Sequence, residues 1–109
     1  MAKAADLRRI ALSLEGTVEA PHFDRTAFEV RRIFATLAAD GLTANLMFAP
    51  DQQALKCLTA PEAFSPVPGG WGRNGATTVL LSQVSLAELE AALRLAWARA
   101  VPPPKAKRK

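Results

Sequence analysis

Tyrosine is absent from this chain of 109 residues, and cysteine and histidine occur only once each. A single cysteine cannot form an internal disulfide, and with one histidine it cannot complete a Cys/His zinc site. No apolar run approaches the ~20 residues that a membrane-spanning helix needs, and residues 1–6 lack the features of a secretory signal. We therefore expect a cytoplasmic protein that binds neither a metal nor a membrane and uses no cofactor.

Acidic residues are missing from the end of the chain, where charge of one sign dominates. The chain carries 14 Lys+Arg against 10 Asp+Glu, and four of the basic residues lie within residues 102–109, PPPKAKRK. The rest of the chain is therefore balanced, and we predict one domain over residues 1–101 followed by a disordered Pro/Lys-rich basic tail. The tail is either an inert solubilising terminus or a tether for phosphates and anionic surfaces, through Lys105, Lys107, Arg108 and Lys109.

Helical periodicity is strongest near the two ends of the domain. Apolar residues recur at the spacing of one helical stripe from Lys3 to Glu15, and Gly16 provides a left-handed stop. The capping-box motif SLAE at residues 85–88 opens the clearest helix of the chain. A short helix is predicted over residues 50–58, and the motif TAPE at residues 59–62 predicts one further helical turn.

Strand-like alternation occupies the middle of the chain. Phe28 and Val30 alternate with Glu29 and Arg31, and two further runs at residues 33–37 and 42–48 complete a predicted antiparallel meander. A fourth strand is predicted over residues 77–82. The stretch SPVPGGWGRNG at residues 65–75 contains two prolines and four glycines, which predicts the longest loop, without a regular element.

These elements predict a two-layer α+β sandwich in the order α-β-β-β-α-β-α. Each end helix has one apolar stripe, so one antiparallel sheet packed against both helices buries all the stripes and leaves its other face open. We expect that open face to carry the polar and flexible side chains of the meander: Glu29, Arg31, Thr43, Asn45 and Met47.

Two segments resemble the MmcQ/YjbR-like family of small bacterial proteins. They read PHFDRTAFEVRRIF at residues 21–34 and FSPVPGGWGRNGATTVLL at residues 64–81, and they follow an LxxIAxxLEG opening in the first helix. The resemblance spans about residues 4–100. It implies a CyaY-like fold, similar to the bacterial frataxin homologue, and DNA binding through protruding hairpins. The chain departs from the family pattern at Ala76, where relatives often carry a second tryptophan, and at Arg31-Arg32, where they often carry Gly-Lys.

Arginines near the first hairpin and an aromatic loop are the candidate nucleic-acid contacts. Arg25, Arg31 and Arg32 could meet phosphates, although Asp24 and Glu29 lie among them, and a solvated hairpin rim is the simpler interpretation. In the glycine-rich loop, the indole of Trp71 either folds back over the core or offers a plane on which a base can stack, with Arg73 and Asn74 as polar contacts beside it.

Catalytic chemistry finds little support in the remaining candidates. We expect His22 to have a structural or hydrogen-bonding role, and Cys57 to be a packed small side chain. The first helix offers only Asp6 and Glu15 as carboxylates, too few for the iron binding that a frataxin-like fold would suggest. The chain is therefore predicted to be no enzyme.

The leading hypothesis is a DNA- or other nucleic-acid-binding protein of modest, sequence-independent affinity. It depends on the family resemblance, the arginines of the first hairpin, the Trp71 loop and the basic tail. The alternative is a protein-interaction or small-ligand adaptor that uses the open sheet face and the same loop, with its partner unidentified.

Overall fold

One antiparallel sheet organises the computed structural model of the chain, which describes residues 1–101. The predicted tail, residues 102–109, lies outside the described residues. Neighbouring strands pair in the order β1-β2-β3-β4-β6-β5, where the strands are β1 (Val18–His22), β2 (Arg25–Glu29), β3 (Ile33–Leu37), β4 (Thr43–Met47), β5 (Phe64–Pro66) and β6 (Ala76–Leu80).

Helices from both ends of the described chain cover one face of this sheet. The helices are α1 (Ala4–Ser13), α2 (Pro50–Thr59), α3 (Gly70–Arg73) and α4 (Leu86–Ala100), with a 3₁₀ turn at Leu81–Gln83. α4 packs on β3 and β4, and α1 packs on α4. The predicted two-layer α+β sandwich is thus confirmed. Within residues 1–101, no helix combines the length and apolar character required to cross a bilayer.

Alternation along the strands places the core on the helix-covered face. Phe28, Leu46 and Val79 come from three different strands and are fully buried, together with Leu7 and Leu93 from the two end helices. Burying each such side chain contributes roughly 1.5–3 kcal/mol. The other set of strand side chains therefore lies on the face that α1 and α4 do not cover.

The first edge strand was not predicted from the sequence. β1 contains Pro21 and has five of its residues in register with β2, from Val18 opposite Glu29 to His22 opposite Arg25. Proline is tolerated there because an edge strand needs only half of its backbone groups for pairing. The expectation that Arg31 lies on the open face was wrong. Because β2 ends at Glu29, Arg31 lies in the turn before β3.

The prediction of a loop without a regular element at residues 65–75 was wrong. Residues 65–75 contain the end of β5 and all of α3, since glycines allow the backbone to turn tightly without excluding a short helix. The predicted helical turn at residues 59–62 is a single turn in which the N–H groups of Ala63 and Phe64 both donate to the carbonyl of Ala60. No helix follows because β5 begins at Phe64.

The capping box of α4 has both of its predicted hydrogen bonds. The Ser85 N–H donates to Glu88 Oε1 at 2.7 Å, and the Glu88 N–H donates to Ser85 Oγ at 3.1 Å. The backbone N–H of Ser85 lowers the pKa of Glu88, and the Ser85 hydroxyl lowers it further. Because the folded pKa is the lower one, this stabilisation is present above the unfolded pKa and is lost as pH falls through the folded pKa.

Ser85→Ala is expected to lower the free energy of unfolding by about 1 kcal/mol, because one N–H of the first turn loses its acceptor. Urea denaturation followed by circular dichroism measures the change. Ser82→Ala is the control, since this exposed serine lies in the 3₁₀ turn outside the box. Equal losses in the two variants would contradict the stabilising role of the cap.

Candidate functional site

Two adjoining hollows lie on and beside the face of the sheet that α1 and α4 leave uncovered. The first, the aromatic hollow, measures about 180 Å³ and is lined by His22, Arg25, Thr36, Asn45, Met47, Val67, Trp71 and Ala76. The second, the arginine hollow, measures about 230 Å³ and is lined by Arg32, Ile33, Met47, Phe48, Trp71, Asn74, Ala76 and Arg99. Met47, Trp71 and Ala76 line both hollows, and because Arg99 belongs to α4, the arginine hollow lies where the uncovered face meets the end of that helix. The two hollows together are named the open-face groove.

Strand register builds the floor of this groove. Thr36 pairs with Asn45 across β3 and β4, and Asn45 pairs with Thr78 across β4 and β6. The hydroxyl of Thr78 donates to Asn45 Oδ1 at 2.9 Å, which fixes the orientation of the amide. The amide nitrogen of Asn45 thereby keeps its two N–H donors for a ligand. As predicted, Asn45 and Met47 lie on the open face.

α3 presents Trp71 at the boundary between the two hollows. The side chain of Trp71 is 69% exposed, so the indole does not fold back into the core. Gln53 from α2 holds the segment in place, because its Nε2 donates to the carbonyls of Gly72 at 2.8 Å and Ala76 at 2.9 Å. The short helix is thus fixed against β6, and the indole stands on a rigid support.

Arg25 is held at the wall of the aromatic hollow. Its Nε donates to Thr36 Oγ1 at 2.8 Å, and its Nη2 donates to the Thr36 carbonyl at 3.3 Å. A guanidinium has five N–H donors, so further donors remain for an anion after these two bonds. Because the side chain is already positioned, little of its conformational entropy would be lost on binding.

Arg32 is fixed in the arginine hollow by the end of α4. Its Nη2 donates to the carbonyl of Arg99 at 3.1 Å, close to the C-terminal and partially negative end of that helix. Arg99 also lines this hollow. This arrangement was not predicted, because the two arginines are 67 residues apart in the chain.

The lining of the groove is cationic. Arg25, Arg32 and Arg99 belong to it, and none of the described residues that line either hollow is acidic. The flanking carboxylate is Glu29, which is paired in register with Ile33 of the arginine hollow. The groove therefore has a local positive charge on a domain whose basic and acidic residues are equal in number overall.

Two of the predicted contact residues lie outside both linings. Arg31 is exposed in the turn next to Arg32, and Arg73 is exposed on α3 two residues after Trp71. Each is next to or near a lining residue in the chain, but neither lines either of the two hollows. Asn74 caps α3 and lines the arginine hollow.

The β1–β2 turn adds an aromatic residue that the sequence analysis did not select. Phe23 is 94% exposed and adopts a positive φ of 59°. Its ring meets the His22 ring edge to face, with centroids 4.8 Å apart and planes at 70°. A prediction of β1 would have placed Phe23 in the two-residue turn of a hairpin between β1 and β2.

The remaining candidates show no grouping of reactive side chains. Cys57 is half-buried against the core, and burial raises the pKa of its thiol, in keeping with a packed small side chain. Within residues 1–101, no three side chains of the His, Cys, Asp or Glu type are grouped so that they could hold a metal ion.

Comparisons with known proteins identify relatives of this fold. A protein-family model described as YjbR matches residues 12–99. The crystal structure of Deinococcus radiodurans protein DR2400, with a DUF419 family-model domain, is similar with a TM-score of 0.74 and 22% sequence identity. The similarity covers 88% of this chain and 76% of that chain. No curated protein matches the chain significantly.

Gly72→Ala is expected to destabilise the fold by ~1–3 kcal/mol, because the added Cβ would overlap the backbone carbonyl of Val67. Gly70→Ala is the matched control in the same helix, since a Cβ there meets only Arg73 Nη2 at 3.6 Å. Thermal unfolding of both variants measures the difference. Equal stability would contradict the close approach of α3 to the segment before it.

Proposed function

We propose that the chain, which belongs to the YjbR family, is a nucleic-acid-binding protein that binds its ligand in the open-face groove and performs no catalytic step. One observation carries this proposal. Three arginines and an exposed tryptophan line the two adjoining hollows, and no acidic residue is among their described lining residues. Phosphates and bases are the ligand groups that this combination fits best.

The arginines supply the phosphate contacts. Guanidinium groups bind phosphates in planar, often bidentate geometry, and Arg25 and Arg32 are already held by hydrogen bonds to the protein. Contacts of this kind carry no sequence information. With few cations in the groove, we expect modest affinity, little sequence preference and strong dependence on salt.

Trp71 and the polar residues beside it supply the base contacts. The exposed indole offers a face on which any base can stack. Asn45 and Asn74 add hydrogen-bonding groups in the two hollows on either side. Arg31 and Arg73 extend the positive charge along the rim.

The basic tail begins where the groove ends. α4 finishes at Ala100, and Arg99, one residue earlier, lines the arginine hollow. The sequence after residue 101 carries Lys105, Lys107, Arg108 and Lys109. We include these four cations in the proposed binding surface as contacts to neighbouring phosphates.

Arg32→Gln is expected to weaken binding of a fluorescein-labelled single-stranded DNA several-fold at low salt. Loss of one phosphate contact should also reduce the slope of log K against log salt by about 0.7. Fluorescence anisotropy across a salt series measures both quantities. Arg94→Gln is the matched control, because Arg94 is exposed and pairs with Glu90 on α4, outside the lining of the groove.

Equal effects of Arg32→Gln and Arg94→Gln would show that only overall charge matters and would contradict binding in the groove. Binding that does not change with salt or with the charge of the ligand would favour the protein-interaction or small-ligand adaptor instead.

Replacement of the four tail cations by glutamine is expected to lower the salt slope on single-stranded DNA by up to about 3, at roughly 0.7 for each phosphate. Residual binding should still respond to Arg32→Gln, because the groove remains intact. The same anisotropy series measures this response. If neutralising the tail abolishes all binding, the folded domain is not part of the binding surface.

A further inference from the structure

We propose that the open-face groove selects single-stranded over double-stranded nucleic acid, by stacking one unpaired base on Trp71 in the aromatic hollow and a neighbouring base on Phe23. This inference rests on the proposed function and specifies the ligand that the groove takes. It depends on the size of the hollow, the exposure of the two aromatic side chains and the position of Arg25 beside His22 in the same hollow.

The aromatic hollow has the size and chemistry for a single base. Its volume of about 180 Å³ is below the ~300–1,000 Å³ of pockets that enclose a whole drug-sized ligand. Trp71 forms one wall and His22 forms another, while Met47 and Ala76 provide apolar surface. Asn45 lines the same hollow, and its free amide N–H groups can donate to a base edge.

Phe23 extends this aromatic surface beyond the hollow. The ring is 94% exposed, so it adds almost nothing to the core, and its positive φ is one that glycine would adopt without strain. The edge-to-face contact with His22 connects it to the wall of the aromatic hollow. A strained, exposed aromatic ring at a hairpin tip is poorly explained by stability and is well suited to contact a ligand.

Arg25 is close to both aromatic positions. It is paired in register with His22 at the end of the hairpin, and it lines the same hollow as Trp71. A strand with one base at Trp71 and another at Phe23 would bring an intervening phosphate to this guanidinium. From Trp71 the groove continues into the arginine hollow, where Arg32 and Arg99 can meet the following phosphates.

A duplex cannot use these contacts in the same way. Its base faces are covered by stacking, so an indole in a shallow hollow can reach neither face without extruding a base. The four residues of α3 are also too few to lie as a recognition helix in a major groove. A single strand offers unstacked bases and phosphates together, and sheet surfaces with exposed aromatic side chains bind it through both.

The test compares three fluorescein-labelled probes of about 12 nucleotides, using the full chain and anisotropy at one salt concentration. The probes are a single strand, a duplex of the same length and an abasic single strand with the same number of phosphates. We expect the single strand to bind at least tenfold more tightly than either of the others. Trp71→Ala and Phe23→Gly should each weaken single-strand binding by about 5- to 100-fold, which corresponds to the loss of one base–aromatic stack.

Two controls separate this loss from unfolding. Phe23→Gly should leave the melting temperature unchanged or raise it, because glycine relieves the positive φ. Leu58→Ala removes another exposed apolar side chain, 78% exposed on α2 outside the groove, and should leave binding unchanged.

A fluorescence measurement reports directly on Trp71. Trp97→Phe leaves it as the only tryptophan, and Trp97 lies on α4, where its indole N–H donates to the Glu15 carbonyl at 3.0 Å. The single strand should quench the remaining emission, whereas the duplex and the abasic strand should not.

Equal affinity for duplex and single strand, or unchanged single-strand binding in both aromatic variants, would overturn the selectivity and leave the proposed function intact. Tight duplex binding that is lost in Phe23→Gly alone would indicate a wedge between base pairs and would also overturn it. If none of the three probes binds, the proposed function itself fails.

Discussion

Burial of the sheet on one face only is the constraint from which the rest of the structure follows. The apolar side chains of α1 and α4 pack on one face of the sheet, where Phe28, Leu46 and Val79 are fully buried. The alternate side chains of the same strands are therefore left on the other face, where Asn45, Met47 and Ala76 form a floor in fixed register. The strand residues that line the aromatic hollow are those that alternation excludes from the core, whereas Phe48, which lines the arginine hollow, also belongs to the core.

Local signals predicted much of the fold, and their failures have local causes. Alternation in β4 correctly predicted a strand, and the SLAE motif correctly predicted the capped start of α4. Both signals depend only on residues that are close together in the sequence. β1 was missed because Pro21 contradicts strand formation unless the strand is known to be an edge. α3 was missed because its stability comes from Gln53, a partner about twenty residues away, and not from helix propensity.

The candidate site was predictable in its residue types but not in its assembly. Trp71, Arg25 and Arg32 could be named from the sequence, and the structure brings them to one groove. Arg99 could not, because its place there results from the packing of α4 against the sheet and from a contact with Arg32 across most of the chain. The two arginines that fall outside the linings, Arg31 and Arg73, show that proximity in sequence to a contact residue does not place a side chain in the same hollow.

The covering of β3 and β4 by α4 also bears on how the chain folds during synthesis. Phe34 and Leu46 on these strands are fully buried, and the Trp97 indole connects α4 to Glu15, just after α1 and 82 residues earlier. A nascent chain that stops short of α4 lacks the helix that packs on these two strands. Their core is therefore completed only after residues 86–100 have been synthesised.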